Sequence, residues 1–380
     1  MRIINKDILF DCNMFYASEE IIKSDRLKLI RNAFKYHYEV NIEYRKICEK
    51  NNVDPDSISN YSDLIKIPLI PMSTFKDKEI RERILSVSLD DCLMKIESSG
   101  TDGIASVAHK DKITAIRDTK SLAILYMEFL VEIFGGFGML FILPNKYLPK
   151  LGIMKMITMF QLYLNGFEFV INCPTDPPDF AIVMKKLLDL KGKHTRHLIG
   201  APYLIYDFAV FMKRHYPKQK ISLDPKSLII TIGGWKRRKG RDVCERVEFN
   251  QLMRDIFDIS NQQIRDLFAQ AESNIFIMEC KYQKKHIPPW AYFSIRDFIN
   301  PRLIEMPKGE EGMIGIFDPI NNTFPGFIIS GDVGVIPFEG RCKCGRYGQI
   351  LEFKRRATGV EVRSCALHMD EFIDKEKDHI

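Results

Sequence analysis

A chain of 380 residues that is 46% hydrophobic and 28% charged can bury one large domain, or a large domain with a small appendage, and has the composition of a soluble globular protein. Its start, MRIINKDILFDCNMF, lacks a basic segment leading into an apolar core and a small-residue cleavage site, so no export signal is read and a cytoplasmic location is expected. The net charge of +6 gathers in KRRKGR (236–241) and KYQKKH (281–286); with no recognition helix or stacking aromatic pattern beside them, these runs read as solvated loops rather than as a nucleic-acid surface.

The first 65 residues read as helices, because LKLIRNAFKYHYEVNIEYRKICEK places apolar side chains three and four apart until DPDSISN breaks the pattern. Strand-like and amphipathic stretches then alternate. LMKIE (93–97) precedes a helix from about Thr114, GMLFIL a helix from about Lys150, and FEFVINC a helix across Phe180–Lys191. HLIGAP, a helix across Leu204–Arg214 and SLIITIGG (227–234) follow. The alternation predicts an α/β domain on a largely parallel sheet. Two windows of about twenty apolar residues, from Leu122 and Leu151, have membrane-span length, but Glu128, Glu132, Lys155, Glu168 and internal glycines divide each into a buried helix followed by a strand. Beyond residue 310 the pattern becomes short strands and turns, ending in CKCGRYGQILEFKRR. Three regions are expected: helical 1–65, the α/β body 66–335, and a short lobe 336–380.

Four stretches carry chemistry. In ESSGTDGIAS, residues Ser98, Ser99, Gly100, Thr101 and Gly103 form a small-residue turn, read as lying between a strand and a helix, whose amides and hydroxyls suit phosphate. No G-x-x-x-x-G-K-[ST] occurs, so it is not a Walker loop. IITIGGWK ends a buried strand in Gly233 and Gly234, where a flat base can lie against backbone, and Lys236 follows within reach of a phosphate or carboxylate. FAQAES, read as following a helical run, offers Glu272 to a magnesium ion. IISGDVG, read as a strand end, offers Asp332 to the two hydroxyls of a ribose.

This order of motifs resembles the adenylate-forming (ANL) superfamily. Within it, SSGTDG, LIGAPYLIY, GGWK, FNQL, QIRDLFAQAE, KKHIPPW and SCAL are similar to the acyl-protein synthetases of bacterial bioluminescence, the LuxE type, near the phenylacetate–CoA ligase branch. The resemblance spans about Arg31 to Met369. It implies an α/β fold with a large N-terminal domain and a truncated C-terminal lobe, and an ATP- and Mg²⁺-dependent enzyme joining a carboxylic acid, most naturally a fatty acid, to AMP. By the same resemblance, residues 98–103 cradle phosphates, Gly233 and Gly234 flank adenine, Glu272 binds magnesium and Asp332 the ribose. Two departures stand out. The loop continues Ile104-Ala105-Ser106 without the usual Pro-Lys-Gly, and only 48 residues (333–380) follow Asp332, too few for the mobile domain that carries the superfamily's catalytic lysine.

In VEVRSCALHMDEF, Cys365 lies between Arg363 and His368; positions three apart share a helix face, and a cationic neighbour raises the thiolate fraction that an acyl acceptor needs. The resemblance makes Cys365 the acyl acceptor and a LuxC-like acyl reductase the partner. Nine cysteines without an export signal read as reduced thiols. Cys280, His286, Cys342 and Cys344 make a Cys₃His set suited to a closed tetrahedral zinc site, and the phenylacetate-ligase branch has a similar arrangement. Two other functions remain open: a CoA ligase of phenylacetate type, and a non-catalytic nucleic-acid-binding module.

Overall fold

The computed structural model describes residues 10–98, 104–130, 137–142, 167–171, 179–192, 195–218, 221–233, 244–298 and 304–357, with 137–142 and 167–171 described in backbone only. Contacts divide the chain into two units. The first is Met1–Ser121, Gln270–Ile275 and His286–Ile380; the second is Leu122–Ala269 and Phe276–Lys285.

The first unit opens with a helix over Glu19–Val40. Ser18 caps it, Glu19 and Glu20 complement its N-terminal dipole, and Ile22, Arg26, Ile30, Phe34 and His37 form its buried stripe. Asn41 ends this helix and caps the next, Ile42–Lys50, its side chain accepting from the Tyr44 N–H at 2.7 Å. Strand β1 (Ile70–Pro71) follows, and β2 (Cys92–Glu97) and β3 (Val107–Asp111) make a separate antiparallel hairpin.

The second unit carries the parallel sheet expected from the alternating pattern. It contains β4 (Phe137–Ile142), β5 (Phe167–Ile171), β6 (Thr195–Gly200), β7 (Leu228–Ile232), β8 (Ile264–Phe268) and the short β9 (Ile277–Glu279). Their order is β9-β8-β7-β6-β4-β5, parallel except for β8 with β9. The helix Pro202–His215 starts on a proline, where no amide donor is needed, and buries Leu204, Ile205, Phe208 and Met212. These pack with Leu198, Ile229, Phe249, Met253, Phe257 and Ile264 into one core. Both long apolar windows end in a strand, β4 and β5, as their charges and glycines predict, and among the described residues no helix is long and apolar enough to cross a membrane.

The chain then returns to the first unit through β10 (Lys285–His286), β11 (Tyr292–Arg296), β12 (Gly312–Phe317), β13 (Phe327–Arg341) and β14 (Tyr347–Arg356). Strands β11 to β14 pair antiparallel in sequence order, and β1 joins β13 in parallel, Ile70 opposite Ile328. An aromatic knot ties the N-terminal helices to this sheet. Phe327 meets Phe34 edge-on at 5.9 Å and stacks on Tyr44 at 6.2 Å.

Candidate functional site

Three local expectations are corrected. The Ser98 loop joins β2 to the antiparallel β3, not a strand to a helix; the helix Lys112–Leu130 begins only after β3. The base of the loop is closed by Ser98 N–H to Ser106 O and by Ser106 N–H to Ser98 Oγ, both at 2.9 Å. FAQAES follows strand β8 rather than a helix. Asp332 lies inside the fifteen-residue β13 rather than at a strand end, just before a register shift at Val333/Gly334. Such a bulge re-aims side chains next to it.

Around Asp332 the first unit gathers a compact polar set. Gln270 Nε2 donates to Ser330 Oγ at 2.8 Å and to Asp332 Oδ2. Ser330 Oγ also accepts the Asp332 N–H at 3.0 Å, and Arg356 Nη1 lies 2.7 Å from Asp332 Oδ1. Burial pushes the Asp332 carboxyl up from the usual carboxylate range; Arg356 and the Gln270 bond oppose this, while the charge of Glu272 adds to it. Glu272 is itself buried, in the turn after β8. The set therefore brings together two of the expected residues, Glu272 and Asp332, and adds Gln270 and Arg356, which sequence reasoning missed. Gln270 stands inside FAQAES and Arg356 in the KRR run that pairs back onto β13; neither has a residue-type signal of its own.

Gly233 ends β7 with φ +82°, a left-handed conformation that glycine adopts without strain, and a Cβ there would meet nothing within 4 Å. The backbone at that strand end is thus open to a flat partner. Ser99, Gly100, Thr101, Gly103, Gly234, Lys236 and Cys365 lie outside the described residues.

The ligand atoms of Cys280, His286, Cys342 and Cys344 all lie within 4.8 Å of one another. Cys280 starts a tight turn, its N–H bonding Lys284 O at 2.9 Å and its O accepting the Gln283 N–H at 2.8 Å, which returns the chain to His286. Cys342 and Cys344 occupy the turn between β13 and β14, closed by Cys342 N–H to Arg346 O at 2.8 Å. Cys344 Sγ is 3.4 Å from His286 Nε2. Tetrahedral zinc, with Zn–S near 2.3 Å and Zn–N near 2.0 Å, separates a sulfur and a nitrogen ligand by about 3.5 Å, so this donor set fits the ion. In KYQKKH, Lys285 pairs with Asp266 at 3.0 Å, which accounts for one of that run's cations without a nucleic acid.

Three other thiols are kept protonated. Burial is the largest cause pushing Cys48 well up and Cys92 and Cys244 each up to about 11.

Comparison with known proteins adds four findings. The chain matches the family described as "Acyl-protein synthetase, LuxE" over residues 2–374. It is 31% identical over 373 residues to a long-chain-fatty-acid–luciferin-component ligase of Aliivibrio fischeri, covering 97% of this chain and 94% of the relative. It is 30% identical over 356 residues to the protein of the same name from Vibrio harveyi, covering 92% and 89%. Among solved structures, 2-hydroxyisobutyryl-CoA ligase in an open conformation, in complex with 2-HIB-AMP and CoA, superposes with TM-score 0.66 at 13% identity, over 90% of this chain and 77% of that one. At that identity the likeness is one of fold, and the fold is that of the adenylate-forming ligases.

Proposed function

Because the chain belongs to the LuxE family of acyl-protein synthetases, ATP-dependent ligases that activate a carboxylic acid as its acyl-adenylate, we propose that its acid is a long-chain fatty acid and that the acyl group passes to the Cys365 thiol. The family match over nearly the whole chain carries this reading; the polar set around Asp332 supports it.

A carboxylate is a poor electrophile, and joining it to AMP supplies a leaving group. In the first half-reaction a carboxylate oxygen attacks the α-phosphorus of ATP, the bond to the bridging oxygen breaks, and pyrophosphate leaves. The protein's work is to align the two anions and to neutralise charge that develops between them. Asp332 would accept the ribose hydroxyls, with Gln270 fixing its other oxygen, and Gly233 and Gly234 would flank the adenine. Ser98, Ser99, Gly100, Thr101 and Gly103 would hold phosphates, and Lys236 would meet a phosphate or the carboxylate. Glu272 would hold Mg²⁺, which lowers the repulsion between the phosphates and the incoming acid. In the second half-reaction the Cys365 thiolate attacks the acyl carbon, a thioester forms, and AMP leaves.

The protonated state of Cys48, Cys92 and Cys244 supports Cys365 as acceptor over these three. We assign Cys280, His286, Cys342 and Cys344 to a structural zinc ion, since four protein ligands leave no open position for substrate. A LuxC-like acyl reductase would receive the acyl group, in the cytoplasm.

The test is pyrophosphate release over acids from acetate to palmitate, followed by labelled palmitate with ATP and magnesium. Label retained on denatured wild-type protein and absent from Cys365→Ser is the expected result. CoA-dependent turnover unaffected by Cys365→Ser would instead assign a CoA ligase.

A further inference from the structure

The turn that carries Gln270 and Glu272 has little backbone support of its own. Between β8 and β9, residues 270–275 belong to no strand or helix, and the backbone bond within them is Ser273 N–H to Gln270 O at 3.4 Å. Their anchors are side chains. At one end Gln270 reaches Ser330 and Asp332. At the other, Asn274 gives both its backbone N–H (2.8 Å) and its Nδ2 (2.9 Å) to Asp318 Oδ2. Glu272 sits midway between the two grips.

Asp318 is fully buried, and it is fixed in turn. Its Oδ1 accepts the Ile320 N–H at 2.8 Å and its own N–H bonds Gly326 O at 2.8 Å. The loop from 318 to 326 is pinned along its length. Asn321 O meets His37 Nε2 at 3.1 Å, Thr323 Oγ1 donates to Asp111 Oδ1 at 3.0 Å, Asn322 Nδ2 donates to Asp111 Oδ2 at 2.9 Å, and Ser86 N–H donates to Thr323 O at 2.7 Å. A buried carboxylate is costly, and this one answers three N–H donors with, among the described residues, no cation within salt-bridge distance. Only an acceptor-only side chain can satisfy all three; an asparagine would turn its NH₂ toward at least one of them.

We propose that Asp318 is a positioning residue for adenylate formation, which acts through Asn274 to set the turn that presents Glu272 beside Asp332. The proposal rests on the reading of Glu272 as the magnesium-holding carboxylate. Asp318 touches neither substrate nor ion; it fixes the angle at which Glu272 meets them.

The experiment uses the full chain in three variants: Asp318→Asn, the milder Asn274→Ala, which keeps the backbone donor, and Glu272→Gln as the control. Binding of a non-hydrolysable ATP analogue is titrated by fluorescence against free Mg²⁺, with thermal unfolding and amide exchange of residues 270–275 recorded without ligand. Losing a charge-assisted bond should raise the half-saturating Mg²⁺ about tenfold in Asp318→Asn, and less in Asn274→Ala. Exchange of the 270–275 amides should quicken in both, while the KM for the acid stays at the wild-type value. A lowered unfolding temperature with an unchanged Mg²⁺ half-saturation in the folded protein would make Asp318 merely structural and overturn the proposal. If Asp318→Asn does not fold, Asn274→Ala decides on the same readouts. If Glu272→Gln itself leaves the Mg²⁺ dependence unmoved, the reading of Glu272 has failed, and the proposal falls with its premise rather than on its own step.

Discussion

Asp332 and Arg356 face each other as direct cross-strand partners on β13 and β14, with Arg356 Nη1 2.7 Å from Asp332 Oδ1. The carboxylate is 2% exposed and the guanidinium 60%, so one solvated cation supports a buried anion at the place assigned to the ribose. With the guanidinium largely in solvent, screening limits such an ion pair to about 1 kcal/mol or less, so Arg356→Gln should raise the KM for ATP by up to about fivefold at pH 7. Removing the cation also lifts the Asp332 carboxyl further, and the defect should deepen toward pH 5.5 as the acceptor is protonated. Steady-state kinetics at the two pH values checks both statements.

Purified protein should carry one zinc per chain by elemental analysis. Cys344→Ser should lose it and unfold at a temperature lower by about 5 °C or more, because a structural metal adds its binding energy to the fold. A thiol-specific mercurial that releases zinc from wild type, read with a metallochromic dye, gives the stoichiometry independently.

Acid should weaken the fold through two histidines. Burial depresses His37 to about 4 and His197 to about 3, from an ordinary value of 6.5. Between pH 6.5 and about 4 the unfolded chain therefore binds the extra protons, and stability falls as pH falls. Asp318, raised to about 6 by burial, has the opposite sign between pH 6 and 3.8, since there the folded state binds the extra proton. At pH 5 these three groups leave a net slope of about one proton, or about 1.4 kcal/mol per pH unit. His37→Gln should lessen the wild-type slope by about that amount, measured by urea unfolding between pH 5 and 6.

Gly326→Ala should be among the most damaging small changes in the chain. A Cβ on Gly326 would lie 2.2 Å from Asp318 O, a backbone atom that cannot swing aside. Overpacking of this kind costs about 1–3 kcal/mol where neighbours can yield, and more where they cannot. The urea midpoint, compared with Gly331→Ala, whose Cβ would find its nearest neighbour at 3.5 Å, isolates the steric term.

The parts of this fold that alternate were legible in the sequence. The spacing of Ile22, Ile30 and Phe34 marks one helix stripe, and IITI and HLIG mark buried strands, because burial on both faces of a parallel sheet demands continuous apolar runs. The local setting of the motifs was less legible. A small-residue loop looks the same between strand and helix as inside a hairpin, and Ser98 turned out to close the latter. A Ser-Gly-Asp run suggests a strand end, yet β13 passes through Asp332, since its glycines permit a bulge without ending the ladder. The cysteines and the histidine were legible as residue types, but only the β13–β14 turn brings Cys342 and Cys344 back to His286. Asp318 and Asn274 carry no signal: in DPINN and ESN they read as ordinary turn residues, and their roles depend on contacts 44 positions apart.

The parallel pairing of Ile70 with Ile328 also orders events on the ribosome. Residues 70–71 and the aromatic side chains of the first two helices must wait for more than 250 later residues before their sheet partner exists, whereas β4 to β9 lie within one stretch of chain, residues 137–279. Newly made protein should therefore complete that stretch's sheet first, and carry its N-terminal helices with an uncovered apolar stripe until β13 emerges. That interval is when the nascent chain most needs a chaperone, and a messenger truncated before codon 327 would leave the interval permanent.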